Sequence, residues 1–263
     1  MESARRRWRP RTAGMVVLVL VALLAVLATG CGRDAGARSL DEDTARSIAA
    51  EALLREGDLP EARWRAVPEG EVDAGTDELS PNEIFATPAC EPLRQFFEGT
   101  GTQVSGPASA DASAPLARDG RSFEAADGTF TVHFVRSAVA VYATEAEAAA
   151  AGEVAAESLT NDALRDCLGE GLVGFEQEGV EITRVDLSGP GASVNGSMGA
   201  TLDLEVFALF FTVDLQVHIY TLQRQHVVAS LVTLELNSDL LADQQQPLLE
   251  AFAQRVTSAH EGK

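Results

Sequence analysis

The chain has 263 residues, 40 Asp and Glu against 20 Lys and Arg, and a net charge of −20. That length is enough for one large domain or two small ones, and the acidity disfavours both nucleic acid and direct adsorption to anionic lipid as partners.

The first eleven residues, MESARRRWRPR, hold five arginines, a positive block that keeps this end on the cytoplasmic side of a membrane. Met15 to Ala28 follows as 14 strongly apolar residues. That is short of the roughly 20 a permanent membrane-spanning helix needs, and it reads as the apolar region of a signal peptide. Ala28, Thr29 and Gly30, all small, then precede Cys31. The string LATGC resembles the lipobox of bacterial lipoproteins, although Ala28 stands where leucine is commonest. The resemblance implies that residues 1–30 are removed, that Cys31 takes a diacylglycerol, and that the protein is held on the outer face of the cell membrane. The alternatives are an uncleaved anchor with an incidental cysteine, or twin-arginine export, for which Trp8, Arg9 and Pro10 supply the wrong residues.

Without its leader, which carries five basic residues and one acidic one, the chain keeps a net charge of −24. Lipid, and no basic patch, must do the anchoring. Residues 31–38 form a tether and 39–263 a single extracytoplasmic domain. Ser39 with Glu42 reads as a capping box for a helix bearing Ala45, Ile48, Ala49 and Ala52 and ending near Gly57. Irregular chain anchored by Trp64 follows, then a short helix from Ser80 to Phe97, interrupted by Pro88 and Pro92, that carries Cys90 to the core. Residues 99–119 contain few large apolar side chains and read as a flexible loop.

FTVHFVRSAVAVY, 130–142, is an evident strand. Thr144 with Glu147 caps an alanine-rich helix, and Asn161 restarts helix with Leu164, Cys167 and Leu168 on one inward face. Val180, Ile182 and Val185 begin another strand, and 189–199 is a loop. Leu202, Leu204 and Val206 are apolar in even phase, and Phe207 through Ile219 in odd phase, so a bulge or turn is expected within VFALFF. Residues 223–225 turn into HVVASLVTLEL, and Ser238 leads to a closing helix with Leu248, Leu249, Phe252 and Val256. The predicted fold class is α+β, with helices packed on one face of a curved antiparallel β-sheet.

With Cys31 assigned to lipid, Cys90 and Cys167 remain in a compartment where disulfides persist. A bridge between them is the economical reading and two buried free thiols the alternative. A zinc site is disfavoured because no CxxC or HxxxH spacing supplies further ligands.

DLPEARW at 58–64, ATPACEPL at 86–93, VAVYATEAEAAAAGEVAAESL at 139–159, NDALRDCL at 161–168 and LLEAFAQRV at 248–256 together resemble actinobacterial cell-surface lipoproteins. Their layout is similar to that of the extracellular sensor domain of a mycobacterial serine/threonine kinase. The resemblance implies an extracytoplasmic α+β domain with a cleft for a ligand. It does not imply signalling, since this chain carries no kinase domain.

Candidate chemistry is sparse. His133 and His218 sit on polar faces of strands, where a solvated or hydrogen-bonded ring is expected; a metal site would need both to meet Asp203, Asp214 or Glu205. Ser197 in NGSMG lacks the first glycine of a nucleophile elbow, Asn195 standing there, and the loop has no phosphate-binding lysine. The clusters DEDT at 41–44 and DAGTDE at 73–78 lack the oxygen spacing of a calcium loop. His226 and His260 complete the histidines. No catalytic set, metal or cofactor is nominated, and the chain reads as non-enzymatic.

The apolar excess of VFALFF, VVASLV and TLEL has three readings: a sheet buried on both faces, an apolar cavity for a hydrophobic or envelope lipid molecule, or an exposed patch for an envelope protein partner. The function expected is a lipid-anchored extracytoplasmic binding module, or alternatively an accessory protein-interaction lipoprotein.

Overall fold

The computed structural model describes residues 40–60, 62–68, 114–126, 131–160, 166–167, 173, 176–177, 180–208, 211–237 and 240–261. The leader, Cys31, the tether, Cys90 and the predicted helix over 80–97 lie outside the described residues.

Helix α1 (Glu42–Ala52) is capped by Asp41, whose carboxylate accepts the Thr44 N–H at 2.9 Å and the Thr44 hydroxyl at 2.7 Å. The cap is therefore two residues later than the predicted Ser39, because Asp41 satisfies an orphan N–H as well as serine would. Glu42 instead pairs with Arg46 at 2.7 Å on the helix surface. The helix ends at Ala52, earlier than predicted. There the Leu54 N–H donates to the Ser137 hydroxyl and the Leu54 carbonyl accepts from Arg121, both at 3.2 Å, so the sheet satisfies the groups that the helix end leaves.

The sheet has eight strands: β1 (Arg65–Val67), β2 (Ala117–Ala126), β3 (Val132–Val141), β4 (Glu176–Gln177), β5 (Val180–Ser188), β6 (Ser197–Ala208), β7 (Phe211–Arg224) and β8 (Val227–Leu236). All pairings are antiparallel in the order β1-β2-β3-β8-β7-β6-β5-β4. Helix α2 (Glu145–Thr160) follows β3, and α3 (Gln245–Glu261) closes the chain. The α+β class and antiparallel sheet are as predicted. The phase change in VFALFF is a hairpin, since β6 ends at Ala208 and β7 begins at Phe211. The predicted loop gives way to β2 at Ala117, and Arg65–Val67 pairs with β2 where irregular chain was expected.

Strand register sorts the side chains onto two faces. On one, Val135, Val139 and Val141 of β3, Tyr220 and Leu222 of β7, and Val227, Ala229 and Leu231 of β8 pack beneath α1 and α3, against Ile48, Leu248, Leu249, Phe252 and Val256. On the other, Ala140 and Val228 meet Ala148 and Ala151 of α2. Helices thus cover both faces, which corrects the one-face arrangement. The physical reason is that the second face is apolar as well: Leu202, Val217, Ile219, Val232 and Leu234 share it, all buried. The α2 seat is close, for a Cβ on Gly152 would lie 2.9 Å from the Gln223 Cβ. Thr144 and Glu147 form the predicted capping box at 3.0 and 3.2 Å.

Phe252 is fully buried at the centre of the larger core. Phe252→Ala is expected to lower unfolding free energy by about 3–5 kcal/mol, measured by urea denaturation. A loss below about 1 kcal/mol would place the core elsewhere.

Candidate functional site

The face beneath α1 and α3 changes character along its strands. Leu231 of β8 and Tyr220 of β7 are directly opposed, and the next same-face pair is Thr233 with His218, then Glu235 with Gln216. The last pair heads a row that crosses the sheet in register: His133 on β3, Glu235 on β8, Gln216 on β7, Asp203 on β6 and Asp186 on β5.

The row passes from buried at His133 and Glu235, through half-buried at Gln216 and Asp203, to exposed at Asp186. The His133 Nδ1 lies 3.5 Å from the Glu235 Oε1, with both side chains buried. That carboxylate also accepts the Leu241 N–H at 2.5 Å. Trp64 closes over His133 edge-to-face at 6.4 Å between ring centroids. The Gln216 amide donates to Asp203 at 2.6 Å, and its oxygen lies 2.9 Å from the His218 Nε2. The His218 Nδ1 is 2.9 Å from the Thr201 hydroxyl. Thr233 bonds Gln245, the first residue of α3, within 3.0 Å. Burial pushes the His218 pKa below its ordinary 6.5, and the Asp203 charge opposes that shift without cancelling it.

Where the row leaves the helices it opens into a cleft of about 450 Å³, lined by Arg184, Asp186, Asp203, Asp214, Gln216, Glu235 and Asn237. Three aspartates beside one arginine make it electronegative, suited to cationic groups. The meeting that a metal site would have needed does not occur: His133 faces Glu235, and His218 reaches Asp203 only through Gln216. Among the described residues no group of three or more His, Cys, Asp or Glu is spaced to hold a metal ion.

The remaining sequence candidates fall in structural roles. Ser197 exchanges hydrogen bonds with the Val194 carbonyl and N–H at 2.8 and 2.9 Å, closing the turn into β6. In DEDT, Asp41 is the α1 cap and Asp43 pairs with Arg46; the cluster at 73–78 lies outside the described residues. His226 lies 3.3 Å from the Tyr142 carbonyl through its Nδ1 and stacks on His260 at 5.5 Å. Cys167 is 1% exposed and disulfide-bonded.

A second cleft, of about 400 Å³, lies between α1 and α3 and is lined by Glu51, Arg55, Asp58, Gln254, Arg255 and Ser258 among others. Two of its charges pair with each other: the Arg255 guanidinium grips both oxygens of Asp58. Burial pushes that carboxyl up, but the hydrogen bonds from Arg255 and from the Arg55 N–H outweigh it and hold the pKa below 3.8. Phe207 and Phe211, at the ends of the β6–β7 hairpin, are 41% and 37% exposed. Sequence reasoning passed over the polar row. Its signal was nonetheless present, since Asp214, Gln216 and His218 share one phase of β7 and Thr233 and Glu235 share one phase of β8.

Because the folded state disfavours a protonated His218 and the unfolded chain does not, this residue's contribution is fully present above pH 6.5 and is lost as pH falls below it. Urea titrations at pH 7.5 and 5.5 are expected to show a smaller acid-side loss in His218→Gln than in the wild type. The wild-type excess is expected to approach, at most, about 1.4 kcal/mol per pH unit. Equal slopes would mean that the ring is not held neutral.

No protein-family model matches the chain, and no curated protein does. Among solved structures it is similar to the extracellular domain of PknH from Mycobacterium tuberculosis, at 10% identity over 86% of this chain and 100% of that one, with a TM-score of 0.35. That likeness is too slight to bear on function.

Proposed function

We propose that this chain is a lipid-anchored extracytoplasmic interaction module, non-enzymatic, that engages its ligand on an open surface. The observation that carries the address is LATGC at 27–31, at the end of an apolar run too short to span a bilayer. No helix among the described residues is long and apolar enough to cross a membrane. Acyl chains on Cys31 would then supply the attachment that a chain of net charge −24 does not find on anionic lipid by itself.

Of the two ligand readings, a hydrophobic or envelope lipid molecule and a protein partner, the geometry favours the second. Of the described apolar strand residues that suggested a lipid cavity, all but the exposed Phe207 and Phe211 are packed beneath α1 and α3 or share the face of α2. Both described clefts are lined mostly by charged and polar side chains. In this reading Cys167 pairs with Cys90, closing a loop of 77 residues. A bridge of that span stabilises by about 4 kcal/mol in the chain-entropy model, which suits a domain exposed outside the cell.

Intact mass of the protein taken from its native membrane tests the address. The expected mass is that of a chain beginning at Cys31 plus acyl groups, with Cys31→Ser losing the acyl mass and leaving the membrane fraction. An uncleaved, unmodified chain would make residues 13–30 an anchor and overturn the lipoprotein reading.

A further inference from the structure

Strand β5 leaves one edge of the sheet open. Its inner side pairs with β6 from Val180 to Ser188, whereas on its outer side β4 pairs only with Val180 and Glu181. Among the described residues no backbone group bonds the outer side of Arg184–Ser188. Thr183, Arg184, Asp186 and Ser188 are exposed, and Val185 and Leu187 are half-buried. Peptide groups in such a row bond water or another strand, and TRVDLS holds neither proline nor lysine to keep a strand away.

The side chains along this edge carry a pattern. Arg184 and Asp186 project on the face of the polar cleft and line it, with Val185 between them on the other face. Across β6, Arg184 stands opposite Glu205 and Asp186 opposite Asp203. The second is a like-charge pair, which an antiparallel ladder tolerates poorly. Asp214 and Glu235 line the same cleft, and Glu181 shares its face at the β4 end. Of the described residues that line the cleft, Arg184 is the only cation. Among the described residues neither Arg184 nor Asp186 makes an ion pair.

A two-fold axis normal to the sheet would lay a second β5 antiparallel against this edge, and the charges select the register. Centred on Arg184, the pairing sets arginine on arginine; centred on Asp186, it sets aspartate on aspartate. Centred on Val185, it sets Arg184 of each copy opposite Asp186 of the other. Each arriving guanidinium then joins the Asp186–Asp203 pair, which its own chain leaves without a cation. The ends of the edge permit this register. Ser188 faces Ile182 of the other copy, one residue short of the stretch that β4 covers. Beyond it the chain turns away at Gly189 and Pro190 and folds over His218, whose Cε1 would lie 3.4 Å from a Cβ on Gly191.

We infer that β5 is a dimerisation edge, on which two copies of this chain join strand to strand about Val185 and each lends its Arg184 to the acidic cleft of the other. Other occupants match the edge less well. An anionic lipid surface meets Asp186, Asp203 and Asp214, and a neutral strand leaves the Asp186–Asp203 pair without a cation. The symmetry also suits an anchored protein. An axis normal to the sheet turns the α1 face of both copies to one side, and Leu40 packs against the core on that face. Two chains held in one membrane can therefore pair. The inference goes beyond the interaction reading and does not require the anchor.

Val185→Cys in the full chain, purified in non-ionic detergent and mildly oxidised, tests the register. Two residues facing each other across the axis have Cβ atoms about 5 Å apart, within reach of a disulfide. Ser188→Cys is the control, since it is more exposed but its two copies stand about 20 Å apart in this register. On non-reducing gels the covalent dimer is expected to be at least about tenfold more abundant from Val185→Cys than from Ser188→Cys or the wild type. Adding either Arg184→Asp or Asp186→Arg to Val185→Cys opposes like charges and is expected to lower the yield about tenfold. Both changes in one chain restore opposite charges and are expected to restore the yield. Mixing the two singly reversed chains is expected to do the same, as a heterodimer.

Equal bridging by Ser188→Cys would mean random collision, and absence of a bridge from Val185→Cys would mean that the edge stays single. A yield indifferent to charge reversal would mean another register. Each of these results would overturn the assignment. A bridge formed by chains whose Cys31 carries no acyl group would sink the anchor reading and leave the pairing intact.

Discussion

The two-residue turn between β7 and β8 is the constraint from which the arrangement of both faces follows. Arg224 and Val227 pair across it, leaving Gln225 and His226 in the turn, and Gln225 takes the left-handed region at φ 46°. A short turn of this kind fixes register, and register fixes which alternate residues share a face. With the observed pairing, Leu222, Tyr220, His218 and Gln216 share a face with Ala229, Leu231, Thr233 and Glu235. A slip of one residue on β7 would send Ile219 and Val217 under α1 and α3 and turn His218 and Gln216 toward the α2 face, stranding polar groups that have partners only in the native register.

The two faces are then covered by different means. Under α1 and α3 the sheet presents large side chains, and bulky residues of the helices, Ile48, Leu248, Leu249 and Phe252, interlock with them. On the other face α2 approaches closely because it presents Ala148, Ala151 and Gly152. Small residues forgo side-chain area, but alanine is the best helix former and lets the backbone come near the strands. This division explains why the face of α2 could not be read in the sequence. EAEAAAAGEVAAES has no apolar stripe to point, whereas α3 declares its buried side through Leu248, Leu249, Phe252 and Val256.

Other elements were legible to the degree that local chemistry specified them. The Thr144 box, the alternation of β7 and the hairpin within VFALFF are properties of contiguous residues. Strand β2 is not: ARDGRSFEAA carries one large apolar residue, Phe123, and becomes a strand because β3 offers it a ten-residue ladder. The polar row was beyond local reading for a similar reason. His133 and Glu235 are about a hundred residues apart in sequence, and only the β3–β8 register sets one opposite the other. A histidine on the polar phase of a strand is indistinguishable, locally, from one left in water. Burial and hydrogen bonding are decided by what the topology lays over it, here Trp64.

The position of the row also accounts for where the open surface lies. Helix α3 begins at Gln245, bonded to Thr233, and the turn before it is pinned by the Leu241 N–H on Glu235. Helical cover on that face therefore starts at these two residues of β8. Toward the β7–β8 turn the strands are roofed and must be apolar; in the other direction none of the described helices lies above them and they carry Asp214, Gln216, Asp203 and Asp186. Thr233, His218, Glu235 and His133 occupy the boundary, buried yet polar, and the bonds of Thr233 to Gln245, of His218 to Thr201 and Gln216, and of the Leu241 N–H to Glu235 offset the desolvation that such a boundary imposes. Core and open surface are thus consecutive stretches of the same strands. Substitutions at Asp186, Asp203 or Asp214 remove no packed side chain from the core, so the chemistry of the open end can change without loosening the roofed one.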